Sequence, residues 1–341
     1  MKRFLSAILL LCIVLSGCSL PDAQDQKQYT ATFLTLFDTV TSIVGCADSK
    51  EAFEEKAQAI HDELLIYHQL FDIYNDYDGI SNLKTVNDQA GIAPVKVDER
   101  IIALLVDCKM IYDATGGKVN PAMGSVLKLW HDARHDGIND PVNARLPDAA
   151  ALEEANNHVN FDAVIIDEGA STVYISDSQV RLDVGAVAKG WAVQRVAQSA
   201  PSGLLISVGG NVCATGPKDE AGTAWVVGIQ DPNGGDDYLH TIFVTSGSVV
   251  TSGDYQRAYM VDGKLYHHII DPATLYPSAY WRSVTIVCAD SGLADALSTA
   301  LFLVPMEDGQ ALLDQYDAEA MWVDADGRLY YSPGFEELIR T

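Results

Sequence analysis

Arg181-Leu182-Asp183-Val184-Gly185-Ala186-Val187-Ala188-Lys189-Gly190 decides how this chain is read. The alternation over Gln179 to Val184 reads as a strand, and the small residues beyond it feed a helix expected over Ala186 to Gln198. Glycine and alanine at such a junction let backbone groups approach a ligand closely. Amides at a helix start can hold an anion, and Lys189 could reach a phosphate. Close packing of a strand on a helix, with an exposed lysine, accounts for the same residues.

Upstream of this junction helical periodicity dominates. Ile60, Leu64, Tyr67 and Phe71 recur at helical spacing and predict a helix over Lys50 to Phe71. Ile101, Leu105, Cys108 and Tyr112 predict a second over Asp98 to Ala114, with Asp98 as N-cap and Gly116-Gly117 as its end. Pro121 opens a third, with Met123, Leu127 and Trp130 on one face. Thr30 to Val44 is β-branched and alternating with a break at Asp38, which predicts a hairpin or two short strands. Val164 to Asp167 and Thr172 to Ser176 read as further strands. Downstream, strands dominate from Leu204 to Val287, followed by a helix over Gly292 to Leu303 and a last hairpin around Asp324-Ala325-Asp326-Gly327. Helices mainly in the first third and a β-rich second half define an α+β chain rather than a doubly wound one. No GxGxxG joins a strand to a helix, so a Rossmann dinucleotide site is not indicated. The polar stretch from His131 to Pro147 is the best candidate for an insertion or a boundary between two lobes. One large, closely packed unit is the simpler expectation.

Asp and Glu total 47 against 22 Lys and Arg, a formal net charge of −25. Such a surface repels nucleic acid and anionic headgroups, and a phosphate-bearing ligand would call for a divalent cation. The N-terminus carries Lys2-Arg3, an apolar run from Phe4 to Leu15, and Leu15-Ser16-Gly17-Cys18. That run is too short to span a bilayer as a mature helix, and its end is similar to a bacterial lipobox. The expectation is a signal peptide over residues 1–17, lipidation at Cys18, and a polar tether to residue 29. The roughly 320 residues that remain can bury about three quarters of their unfolded surface. Cys46, Cys108, Cys213 and Cys288 stand apart among apolar neighbours with no CxxC pair. They read as buried thiols, with a disulfide open to them in an oxidising compartment, and no zinc site is visible from spacing.

The densest chemistry lies in Tyr266-His267-His268-Ile269-Ile270-Asp271-Pro272, where two imidazoles and a carboxylate precede a proline. Acid–base or metal work suits such a cluster, and a surface hairpin with incidental histidines suits it too. Asp295 and Thr299 are four apart on the last long helix, hence on one face. A carboxylate and a hydroxyl are hard donors suited to Mg²⁺, but two alone cannot fill its shell. An N-capping Asp and a helix-facing Thr read the same way. Gly116-Gly117-Lys118-Val119-Asn120-Pro121 and Ser207-Val208-Gly209-Gly210-Asn211 are tight loops that could meet a ligand or simply turn the chain.

Taken in order, these segments resemble the ApbE-type FAD:protein FMN transferases, from about Leu36 to Val304. Leu36-Phe37-Asp38-Thr39-Val40-Thr41, Phe71-Asp72-Ile73-Tyr74-Asn75 and Gly116 to Gly124 with Leu129-Trp130 carry it first. Leu182 to Gly190, Val208-Gly209-Gly210-Asn211 and Thr251-Ser252-Gly253-Asp254-Tyr255 follow. His268-Ile269-Ile270-Asp271-Pro272 and Ala294 to Ala300 close the set. The resemblance implies an ApbE-like domain over residues 30–335, anchored by lipid outside the cytoplasm on the bacterial cell membrane. It implies that FAD is split and FMN joined to a threonine, or a serine, of an acceptor flavoprotein, with AMP released. By matched position, Asp295, Thr299 and the Ala186 carbonyl would hold Mg²⁺. His268 would be the base or a proton shuttle, with Asp271 orienting the turn. Phe37, Tyr74, Gly117, Lys118, Val119, Asp183, Lys189 and Ile269 would contact FAD.

Three positions depart from the family pattern. Leu275 follows Thr274 where a glycine is usual, Asn120 stands where Asp is common, and Asn75-Asp76-Tyr77-Asp78-Gly79 replaces a serine-rich loop. They bear on FAD affinity and acceptor choice, not on the metal ligands. Two other readings fit the same residues: a Mg²⁺-dependent FAD pyrophosphatase giving FMN and AMP, and a flavin-binding lipoprotein without turnover. A solute-binding lipoprotein would need two comparable α/β lobes, which the order of elements opposes.

Overall fold

The computed structural model describes residues 27–341 apart from Asp236. The expected signal peptide and Cys18 lie outside the described residues. Eight strands form one antiparallel sheet in chain order: Lys27–Phe33, Thr41–Ala47, Leu204–Val208, Asn211–Ala214, Gly247–Gly253, Ser283–Cys288, Ala318–Val323 and Leu329–Tyr331. The first begins at Lys27, so residues 27–29, expected in the tether, already belong to the sheet.

Alternation along the strands buries both faces. Ile43, Ile206, Val250 and Val284 point into the main core with the helices Lys50–Phe71, Glu99–Ala114, Ala188–Ser199 and Ser291–Phe302. Their neighbours Val44, Leu205 and Val249 point the other way, against the hairpin Trp225–Gln230/Tyr238–Val244 and Phe335. A third apolar cluster joins the helices Gly124–Asn139 and Ala149–Asn156 to the hairpin Ala258–Val261/Lys264–His267. The structure is thus α+β, with helices concentrated ahead of the β-rich half.

Several expectations need correction. Gln179 to Val184 is not a strand, and only Arg181 makes an isolated bridge, to Met123. The buried Asn87 side chain takes the place of a partner strand, donating to the Leu182 carbonyl at 3.0 Å and accepting from its amide at 2.7 Å. The stretch from His131 is no boundary loop, because the helix runs on to Asn139 and presses Gly137 against Tyr259. That helix starts at Gly124 rather than Pro121, its first amide bonding the Arg181 carbonyl at 2.9 Å. The helix expected from Ala186 starts at Ala188. Short helices at Leu83–Asp88 and Met306–Leu313 carry too few turns to show a period in the sequence.

The departure at Leu275 has a packing reason. Its φ of +64° is left-handed, where glycine is at ease. Its side chain is buried with Trp130 and Met123, and Trp130 Nε1 donates to its carbonyl at 2.9 Å. Releasing a left-handed residue gains about 1–2 kcal/mol, while emptying a buried leucine site costs about 2–5 kcal/mol. Packing wins. Leu275→Gly should therefore lower the unfolding free energy by about 1–3 kcal/mol in urea; an unchanged or raised midpoint would show that backbone strain outweighs packing here.

Candidate active site

Two helices meet at their N-terminal turns. Gly190, in the first turn of Ala188–Ser199, sends its amide to Asp295 Oδ2 at 2.8 Å rather than back along its own helix. A Cβ at Gly190 would overlap the Ser291 carbonyl oxygen and Asp295 Cβ, so only glycine allows this approach. In a helix continued backwards the Gly190 amide would have bonded the carbonyl of Ala186. That carbonyl accepts no hydrogen bond among the described residues. Asp295 is 4% exposed, and Lys189 Nζ stands 3.6 Å from its Oδ2. Thr299 lies one turn further along the same face. The neighbouring Ser298 hydroxyl donates to the Asp295 carbonyl and meets Ser252 Oγ, each at 2.8 Å, fixing this helix to the strand Gly247–Gly253.

The residues fit a hard divalent cation. Carboxylate, hydroxyl and free carbonyl are all oxygen donors, and no cluster of three His, Cys, Asp or Glu competes for a metal among the described residues.

His267 and His268 serve different ends. His267 Nε2 faces the Ser278 carbonyl at 2.8 Å, so it carries the proton; Nδ1 accepts from the Ile269 amide at 3.2 Å. This imidazole is a neutral clamp inside its turn. His268 Nδ1 is buried with no partner. Burial, and then Arg257, His267, Arg134 and Lys189, hold its pKa well below the ordinary histidine value. Its imidazole is therefore neutral, with Nδ1 bound to nothing among the described residues. Asp271 does not reach it. That carboxylate accepts from the Ala273 amide and from Lys118 Nζ, both at 3.0 Å, and ties the turn to the Gly117–Val119 loop.

The expected flavin contacts divide. Burial and then Asp183 push the Tyr74 hydroxyl up to about 12, and Tyr74 stacks on His131 with ring centroids 5.0 Å apart. Burial raises the Asp183 carboxyl, while the Gly185 amide and the charges of Arg257, His131 and Arg134 pull the other way. Tyr74, Asp183, Lys189 and His268 thus share one electrostatic neighbourhood. The loop after Gly116 differs: the amides of Gly117, Lys118 and Val119 are all spent on Tyr112 and Thr115 at the end of the preceding helix, and Val119 is 2% exposed. Only Lys118 there offers a side chain toward solvent, and it is held by Asp271. Ile269 is buried, with its amide on His267 and its carbonyl on the Ser278 amide. Asn120 explains its own departure, since its Nδ2 donates to the Val159 carbonyl at 2.8 Å, which an aspartate could not do.

Arg134 and Arg257 escaped the sequence reading. Neither forms an ion pair among the described residues, although burial and Arg257 both press the Arg134 pKa down. No signal in the sequence set these two apart, because which cations lack an ion pair is decided by the fold. Arg134 and Arg257, which share the field of Asp183 but form no close ion pair, lie in the same electrostatic neighbourhood as the neutral His268, an arrangement suited to an anionic ligand.

The chain belongs to the ApbE family, whose model matches residues 37–322. It is 37% identical over 280 residues to the FAD:protein FMN transferase of Treponema pallidum, covering 76% of this chain and 75% of that one. It is 31% identical over 277 residues to one of Klebsiella pneumoniae, covering 77% and 83%. The crystal structure of the ApbE protein of Thermotoga maritima superposes with a TM-score of 0.80 at 31% identity, over 92% of this chain and 100% of that one. The apo flavinyl transferase ApbE of Pseudomonas stutzeri shares the fold, with a TM-score of 0.74 at 22% identity over 92% and 97%.

Burial holds His131, His240, His267 and His268 below the ordinary histidine value. As pH falls through about 6.5 the unfolded chain takes up protons first, so stability is fully present above that pH and declines below it. Asp183, shifted the other way, is one group against four. The urea midpoint should drop between pH 7.5 and pH 5.5; a flat or rising midpoint would contradict these buried neutral imidazoles.

Proposed function

We propose that this chain transfers FMN from FAD to a threonine, or serine, hydroxyl of an extracytoplasmic flavoprotein and releases AMP. We further propose that it works with Mg²⁺, anchored through Cys18 to the bacterial cell membrane. The relatives' shared name supports the activity. The observation that carries the chemistry is the buried Asp295 carboxylate, held by the Gly190 amide with Lys189 at its edge, while the same Lys189 acts on the buried, neutral His268.

The acceptor oxygen attacks the phosphorus on the FMN side of the diphosphate, and the bridging P–O bond breaks toward AMP. The hydroxyl proton passes to His268, whose neutral imidazole has a lone pair to take it. Mg²⁺ on Asp295, Thr299 and the Ala186 carbonyl would neutralise the diphosphate and ease departure of AMP. Lys189 sits close enough to follow that charge, and Arg134 and Arg257 supply positive potential in an otherwise acidic protein. Asp271 and Lys118 hold the His268 turn against the loop that closes the previous helix. Among the described residues no helix is long and apolar enough to cross a membrane, and the anchoring proposal rests on the lipobox-like sequence alone.

The test is acceptor mass after incubation of the protein with FAD, Mg²⁺ and an acceptor domain exposing a threonine. An FMN phosphoester adduct with equimolar AMP, abolished by EDTA, is expected. Asp295→Asn keeps an acceptor for the Gly190 amide but removes the charge, so it should hold its melting temperature and lose about 100-fold or more in rate. FMN and AMP without an adduct would replace transfer by hydrolysis, and intact bound FAD would leave only a flavin-binding lipoprotein.

A further inference from the structure

Phe37 and Asp38 are consecutive non-glycine residues in the left-handed region, at φ 51° and 53°. One such residue is uncommon, and two in a row persist only where the surroundings over-determine them. A one-way chain of hydrogen bonds begins at this turn. The Phe37 amide can only donate, and it reaches His68 Nδ1 at 3.2 Å. Neutral His68 therefore carries its proton on Nε2, which lies 3.3 Å from the Tyr77 hydroxyl. Tyr77 in turn donates to Asp72 Oδ2 at 2.7 Å. The other oxygen of Asp72 accepts the amides of Tyr74 at 2.6 Å and Asn75 at 3.1 Å, while Asn75 Nδ2 bonds Oδ2. Burial works against the Asp72 charge, but these bonds outweigh it and hold the carboxyl below its ordinary value. Ring contacts reinforce the chain, with His68 edge-on to Phe37 at 5.5 Å and to Tyr77 at 6.2 Å.

His68 stands in the last turn of the Lys50–Phe71 helix and Asp72 is the C-cap of that helix. The relay thus connects two loops, one bearing Phe37 and one bearing Tyr74, through the end of a single rigid element. We propose that His68 is a positioning residue for flavin recognition: it fixes the Phe37 turn and, through Tyr77 and Asp72, sets it relative to Tyr74 before the ligand arrives. This rests on the reading of FAD as substrate. A pre-set pair of aromatic side chains strengthens binding by removing an ordering cost, and it leaves the chemistry at Asp295 and His268 alone.

FAD affinity, kcat at saturating FAD and the melting temperature of the ligand-free protein are measured together for wild type, His68→Leu and His68→Asn. The asparagine carbonyl can accept from the Phe37 amide as Nδ1 does. Leucine should weaken FAD binding about tenfold, with kcat within about twofold of wild type. Asparagine should recover affinity to within about threefold of wild type. Should His68→Leu fail to fold, Tyr77→Phe, which cuts the same chain at a half-buried hydroxyl, carries the test with a loss in the same direction. Wild-type affinity in the folded leucine or phenylalanine variant overturns the proposal, as does asparagine binding no better than leucine or a fall in kcat without a fall in affinity. A wild-type protein that does not bind FAD overturns the flavin reading itself, and His68 with it.

Discussion

The site depends on one hydrogen bond between two helix starts, from the Gly190 amide to Asp295. It exists because residue 190 lacks a side chain, so that one helix can press its first turn onto the other. Three consequences follow from that single approach. A buried carboxylate gains a donor, Lys189 is brought to its edge, and the Ala186 carbonyl loses the partner that a longer helix would have given it. A carboxylate buried with one lysine at its edge is costly in a protein that binds nothing there, and useful in one that binds a cation.

Around this contact the protein separates support from chemistry. His267, Asp271, Lys118 and Asn120 spend their polar atoms on turns and loops. His268 keeps its Nδ1 without a partner, and Arg134 and Arg257 act on Asp183 only through the field, with no ion pair among the described residues. Neighbours in sequence therefore do opposite things, as His267 and His268 show. The difference lies in what stands opposite each ring: a backbone carbonyl for the first, and no partner for the second.

Much of this was legible in the sequence. The Lys50–Phe71 and Glu99–Ala114 helices follow directly from apolar spacing and a capping residue, and Asp295 and Thr299 share a face because they are a helical turn apart. The family's motifs placed the site without any view of distance. What escaped was interaction across the chain. Asn87 replaces a strand with a side-chain amide 95 residues away from Leu182, and no local pattern announces that. The segment from His131 looked like a loop because its polar residues face the site and solvent, while Gly137 meets Tyr259 from a distant hairpin. The relay through His68 was equally invisible, since its members are unremarkable until the helix end brings two loops together.

The most direct test of how the site is built is Gly190→Ala, read by unfolding free energy and by FMN-transfer rate. In an unconstrained helix the change from glycine to alanine gains about 1 kcal/mol. Here the added methyl meets the Ser291 carbonyl and Asp295, and overpacking against backbone costs about 1–3 kcal/mol or more. The variant is expected to lose stability and transfer together, as the two helix starts are forced apart. A variant more stable than wild type and fully active would show that the close approach of these helices is not what builds the site.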